Sequence, residues 1–137
     1  MALQLTVVTP EGQAYEGEVE QVVLPGSEGD FGVLEQHERF LAALRPGALE
    51  IHTPGSGTLW AAMSDGFADV NAELVTVLVS RCDLAADIDT AETQSEIEAA
   101  EAGLRELGSA EEDAHARSEF ESAIGAARLR LDVAGRS

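Results

Sequence analysis

Phe67-Ala68-Asp69-Val70, then Asn71-Ala72-Glu73, then Leu74-Val75-Thr76-Val77-Leu78-Val79-Ser80 reads as a β-hairpin. Two short apolar runs, the second rich in β-branched residues, flank a polar turn. The upstream chain carries the same signature. Leu3, Leu5 and Val7 alternate with Gln4 and Thr6, the period of a strand with one buried face. Leu49, Ile51 and Thr53 alternate again. The runs Val19–Leu24, Phe31–Leu34, Phe40–Leu44 and Thr58–Met63 are punctuated by Pro10-Glu11-Gly12, Pro25-Gly26, Pro54-Gly55-Ser56-Gly57 and Asp65-Gly66. Short strands with turns at about 8–12-residue intervals predict a β-sandwich or barrel over residues 1–86.

Downstream of Ile88 the period changes. Asp89 is placed to cap a helix that starts at Thr90-Ala91-Glu92. Ile97, Ala100, Leu104 and Leu107 share one helical face, and Gly108-Ser109 ends it. A second helix carries Phe120, Ile124, Ala127 and Leu131 on one face, with Arg128 and Arg130 expected in its last turns, where the helix dipole favours cations. Residues 87–137 are therefore expected to form an antiparallel helical hairpin. Ala99, Ala102, Gly103, Ala123, Gly125 and Ala126 permit close approach but bury little, so the hairpin is expected to pack on the sandwich or on another protein.

The chain has 137 residues, 45% apolar and 25% charged, which is globular composition. Acids number 26 against 8 bases, all of them Arg, for a net charge of −18. Residues 1–86 hold 13 acids and 3 Arg, net −10; residues 87–137 hold 13 acids and 5 Arg, net −8. That balance argues against nucleic acid and anionic membrane as partners, since both demand a basic footprint. With no Lys there is no Schiff-base chemistry and no lysine-terminated phosphate loop. The single Cys82 fits a reducing compartment and reads as a small half-buried apolar residue. Met1–Thr9 has no basic start, and the longest apolar run, Leu74–Val79, is far short of the ~20 residues of a membrane span.

No catalytic constellation is visible. His37, His52 and His115 lack a second His or Cys at metal-ligand spacing, so no metal and no cofactor are expected. No Gly-x-Ser-x-Gly elbow occurs. The most distinctive segment is Gly26-Ser27-Glu28-Gly29-Asp30-Phe31-Gly32. Two acids inside it, and no helix after it, exclude a phosphate cradle. A polar, exposed turn of this kind suits docking. Two further readings remain open on the residues alone: a free-standing interaction module with a helical lid, and a small hydrolase or isomerase built on a pair such as Asp30 and His37.

The segment Gly26–Leu34, then His37, then Leu41-Ala42-Ala43-Leu44-Arg45-Pro46-Gly47, resembles the signature of the epsilon subunit of bacterial F-type ATP synthases. Asp65-Gly66-Phe67-Ala68-Asp69-Val70 with Val75-Thr76-Val77-Leu78 resembles a second motif of that family, in the same register. The resemblance implies a ten-stranded β-sandwich at the foot of the central stalk. It would grip the gamma subunit, touch the polar loops of the c-ring, and turn with the rotor to couple proton flow to ATP synthesis without being a catalyst. It implies that Ser27, Glu28, Gly29, Asp30, Phe31 and Gly32 meet the c-ring, with Asp30 nearest, and that His37 faces gamma. It implies a hairpin able to reach the alpha and beta subunits of the head and block ATP hydrolysis, with Arg117, Arg128 and Arg130 as contact candidates. It places the protein peripherally at the cytoplasmic face of the bacterial plasma (inner) membrane, without membrane insertion, and the lack of a transit peptide fits that.

The chain also departs from the family pattern. In the ATP motif Ile88 and Asp89 match, but Glu92 stands in place of Arg and Thr93 in place of Ala. In the second helix Ala126 replaces one of two Arg, leaving Arg130. A carboxylate in place of a guanidinium repels a triphosphate, so ATP binding is expected to be weak or absent. A hairpin of net −8 is also expected to inhibit weakly, because the surface it would meet on the beta subunit is acidic. Glu35-Gln36 and Glu38-Arg39-Phe40-Leu41-Ala42 flank His37 where the family has Pro-Gly and Ala-Pro-Leu-Leu-Thr.

Overall fold

A computed structural model describes residues 3–34, 38–55, 57–108 and 111–136. Ten strands come first: β1 (Leu3–Thr9), β2 (Gly12–Val19), β3 (Gln21–Gly26), β4 (Gly29–Leu34), β5 (Phe40–Leu44), β6 (Gly47–Thr53), β7 (Gly57–Met63), β8 (Gly66–Val70), β9 (Leu74–Val79) and β10 (Cys82–Leu84). Two helices follow: α1 (Thr90–Glu106) and α2 (Ala114–Ala134), preceded by 3-10 turns at Ala85–Asp87 and Glu111–Asp113.

The strands form one sheet in the order β10-β7-β6-β3-β5-β8-β9-β1-β2, with β4 paired to β3. The sheet folds over on itself at β3, which pairs with β4, β5 and β6. Every pairing is antiparallel except that of β1 with β9. The alternation read from the sequence is the alternation buried. Leu3, Leu5 and Val7 of β1, and Val75, Val77 and Val79 of β9, point into the core beside Val22, Leu24, Leu49, Ile51, Ala68 and Val70. Each fully buried Leu, Ile or Val contributes about 1.5–3 kcal/mol of apolar transfer, so this aliphatic set carries the sandwich with few aromatic rings.

Two strands escape the periodicity. β2 has only Val19 fully buried, because Glu16 and Glu18 face solvent at the end of the sheet path. Acidic side chains on an outer strand discourage edge pairing and also hide the strand from an apolar pattern. β10 is three residues long, too short to show a period. A third difference concerns Pro25-Gly26, expected to stop the strand. β3 runs through both residues, and the Pro25 carbonyl accepts from the Arg45 N–H at 2.9 Å. Proline lacks only the donor, so it is tolerated where its carbonyl alone is needed.

α1 starts as read: the Asp89 side chain accepts from the Glu92 N–H at 3.0 Å. It ends at Glu106, just before Leu107 and Gly108, while Ser109 lies outside the described residues. α2 runs to Ala134, further than the charge pattern implied, so Arg128 and Arg130 sit before its last turn, which carries no base. The helices meet where a Cβ on Gly103 would stand 2.6 Å from the Phe120 ring, so any larger residue there displaces that ring.

α2 docks on the sandwich. Val133, with Leu129 beside it, packs against Ala62, Trp60 and Ala48, together with Ala85 and Ile88 from the connecting segment. The Arg136 guanidinium lies 4.7 Å from the Trp60 ring centroid, a cation–π contact. Trp60 is the one tryptophan of the chain, so its fluorescence reports this docking. Val133→Asp puts an unpaired carboxylate at a fully buried position, and the hairpin is expected to lift. Trp60 emission should then shift to the red while strand circular dichroism holds; unchanged emission would refute this account of the dock.

Candidate functional site

Three surfaces carry the residues singled out by sequence. The first is a finger formed by β3 and β4, with Ser27 and Glu28 at its apex and Gly29 at φ 133°, a value open to glycine. Ser27, Glu28, Gly29, Asp30 and Gly32 are exposed, whereas Phe31 is half-buried. The Phe31 ring leans on the core and meets Phe40 edge to face at 5.5 Å. The finger is braced from β5. Ser27 N–H donates to the Ala43 carbonyl at 3.0 Å, and Arg45 N–H to that of Pro25 at 2.9 Å. The Arg45 Nη2 donates to Asp30 Oδ1 at 2.5 Å. At Gly26 a Cβ would meet the Gly29 carbonyl at 2.6 Å, so the two legs touch backbone to backbone. The segment read as an exposed turn is therefore a tight hairpin, and its last four residues, Gly29–Gly32, belong to β4.

The second surface was not read from the sequence. Phe67, Leu78 and Leu41 are 54%, 50% and 70% exposed, on the outer face of β8, β9 and β5. Ala43, Phe67, Leu78 and Val8 stand in one cross-strand row, with Leu41 two residues from Ala43 on β5. The sequence signal was present: β9 is apolar at both parities, with Leu74 and Leu78 outward and Val75, Val77 and Val79 inward. His37, the residue expected to face gamma, lies outside the described residues.

The third surface is the hairpin. Ile88 joins the docking cluster, Asp89 caps α1, and Glu92 is exposed in its first turn. Arg130 is only 7% exposed and its Nη2 bonds Glu96 Oε2 at 2.5 Å. The one cation left in the ATP motif is thus committed to a carboxylate one helical turn beyond Glu92. Arg128 approaches Glu101 at 3.9 Å, and the Arg117 Nη2 donates to the Gly108 carbonyl at 2.7 Å. A groove of about 700 Å³ lies between α2 and the sandwich, walled by Met63, Ser64, Arg81, Ser122 and Leu129.

The remaining chemistry is structural. Burial, and secondarily the neighbouring Asp83, pushes the Cys82 thiol up to about 12, so it stays protonated and unreactive near neutrality. His52 pairs with Glu50 at 2.5 Å on β6, and His115 with Glu119 along α2. Among the described residues no group of three or more His, Cys, Asp or Glu is placed to hold a metal ion. No helix among them is long and apolar enough to cross a membrane.

Against known proteins, residues 2–85 match the family described as ATP synthase, Delta/Epsilon chain, beta-sandwich domain. The chain is 39% identical over 127 residues to the ATP synthase epsilon chain of Maricaulis maris, covering 93% of this chain and 87% of that one. It is 37% identical over 134 residues to the ATP synthase epsilon chain of Halalkalibacterium halodurans, covering 98% of each. Its fold resembles a chain in the Euglena gracilis mitochondrial ATP synthase OSCP/F1/c-ring structure with a TM-score of 0.76, at 24% identity, over 97% of this chain and 81% of that chain.

Proposed function

The chain belongs to the delta/epsilon family of ATP synthase as an epsilon chain, a non-catalytic central-stalk subunit, and from that premise we propose that it links the gamma subunit to the c-ring and couples proton flow to ATP synthesis. The observation that carries this reading is the outward apolar face of Leu41, Phe67 and Leu78. Adjacent exposed apolar side chains on three paired strands are what a protein partner covers. In this reading gamma covers that face and also contacts His37, and the braced finger Ser27–Gly32 meets the polar loops of the c-ring. A stiff sandwich with a short, doubly tethered finger transmits torque without yielding.

The chain divides in this reading into a rotor-docking unit, 1–86, and a hairpin, 87–137. The hairpin rests on the sandwich through Leu129 and Val133 and inhibits the alpha–beta head weakly, because its charge is −8. ATP binds weakly or not at all, because Glu92 faces outward and Arg130 is held by Glu96. The protein sits peripherally at the cytoplasmic face of a bacterial plasma membrane, held by the complex.

Titrating the full chain against the gamma subunit of its own organism tests the reading. A one-to-one complex that then retains the c-ring is the expected result. No association by a chain with native circular dichroism would turn the reading to a free-standing module.

A further inference from the structure

The face of β6 that receives α2 carries more than apolar side chains. Ala48, Glu50 and His52 follow one another along it, each directly across from a residue of β7: Ala62, Trp60 and Thr58. Glu50 therefore stands beside the Trp60 ring, on which the Arg136 guanidinium rests at 4.7 Å. Glu50, Trp60, Leu129 and Arg136 line one groove of about 270 Å³, together with Asp30 and Arg45. His52 Nε2 lies 2.5 Å from Glu50 Oε2, and Thr58 Oγ1 lies 3.4 Å from His52 Nδ1. Glu50 and His52 are both half-buried, so solvent ions screen them less than a fully exposed pair. On the strands around them, Gln21 faces His52 from β3 and is neutral, and the exposed Glu20 donates its N–H to the His52 carbonyl. From the hairpin side, Asp132 of α2 pairs with Arg136 at 2.8 Å.

We infer that His52 is a proton-sensitive element of the hairpin's dock. While the imidazole is neutral, Glu50 presents a full negative charge beside the seat of Arg136 and helps to hold the end of α2 down. Histidine is the side chain that gains its charge as pH falls from about 8 to about 5. A proton on His52 cancels Glu50 at that seat and sets a second cation near Arg136, so the end of α2 is held less firmly in acid. The coupling runs both ways: lifting Arg136 from Trp60 makes the proton easier to accept. This device depends on the dock of α2 and not on what the sandwich binds.

A double-variant cycle in the full chain, His52→Gln with Arg136→Gln, measures the coupling. The readout is the equilibrium constant of the Trp60 emission transition in urea, at about pH 8 and about pH 5.5, either side of the histidine range. Whichever elements open, that transition removes Arg136 from its seat. At the higher pH the two changes should be additive, because glutamine matches a neutral imidazole in charge. At the lower pH the cycle should depart from additivity by about twofold to threefold, the size of one partly exposed charge interaction, with the wild-type chain the less stable. Arg136→Lys keeps the charge and should keep the coupling. Glu50→Gln with Arg136→Gln should show a favourable coupling of similar size at the higher pH. The same departure for His52 and Arg136 at both pH values would mean a structural contact, and that overturns the proposal. Additivity at the lower pH overturns it too, as does the absence of coupling between Glu50 and Arg136.

Discussion

A chain carrying Phe67→Asp is expected to fold normally and to bind gamma about a hundredfold less tightly. Phe67 is 54% exposed, so removing it withdraws little from the core, and surface changes of that kind leave stability nearly unchanged. At the middle of an apolar docking face the same change costs far more. A central aromatic anchor is worth roughly 2–4 kcal/mol on truncation, which is about one and a half to three decades in affinity. The carboxylate then has to be buried without a partner. Leu78→Asp and Leu41→Asp should weaken binding in the same direction. Leu59→Asp, on β7, should not, although Leu59 is 41% exposed. Calorimetric titration against gamma, with thermal unfolding of each variant, separates lost binding from lost fold. Wild-type affinity in Phe67→Asp would remove the face from the docking surface.

Gly66→Ala is expected to do the opposite: cripple the fold through one methyl group. Gly66 opens β8 and is paired with Leu44 on one side and Val79 on the other. A Cβ there would stand 2.0 Å from the Leu78 carbonyl oxygen and 2.8 Å from Val79 Cγ1. The nearer atom is backbone inside a ladder, so β8 and β9 have to separate. Overpacking of this kind costs about 3 kcal/mol or more, a fall in melting temperature of roughly 10 °C for a chain this size. Val79→Ala does not rescue it, because the obstacle is the carbonyl. Gly125→Ala supplies the contrast. Nothing lies within 4 Å of a Cβ at that position in α2, so alanine should stabilise the helix by about 0.5–1 kcal/mol. Equal melting temperatures for the two variants would show that the close approach at Gly66 is not a real constraint.

Local patterns were legible and distant pairings were not. The β8–β9 hairpin, the β1 alternation and the Asp89 cap are all written within a few residues of chain, and the structure has each of them. β2 was hidden because its outward positions are Glu16 and Glu18 and only Val19 is fully buried. The helical face of α2 was half read. Ile124 and Ala127 are buried as the period requires, but α2 presents a second face, Leu129 and Val133, to the sandwich. A 3.6-residue period reports one apolar stripe, and a helix with two partners needs two. In the finger, the turn residues were visible as a motif. The Asp30–Arg45 pair spans 15 residues and Arg130–Glu96 spans 34, so neither follows from any local rule. The outward parity of Phe67 and Leu78 was visible as letters, but which parity faced the core awaited the partner strands.

The pairing of β1 with β9 bears on how the chain comes into being. Val7 lies against Val77, 70 positions further along. At about 5–20 residues per second, a ribosome needs roughly 4–14 seconds between making the first strand and making its parallel neighbour. Throughout that interval β1 has only β2 to lean on, and a lone two-stranded ribbon is marginal in water. The sandwich therefore closes late, after its ninth strand has left the exit tunnel. The helices, still being made, reach a surface already finished.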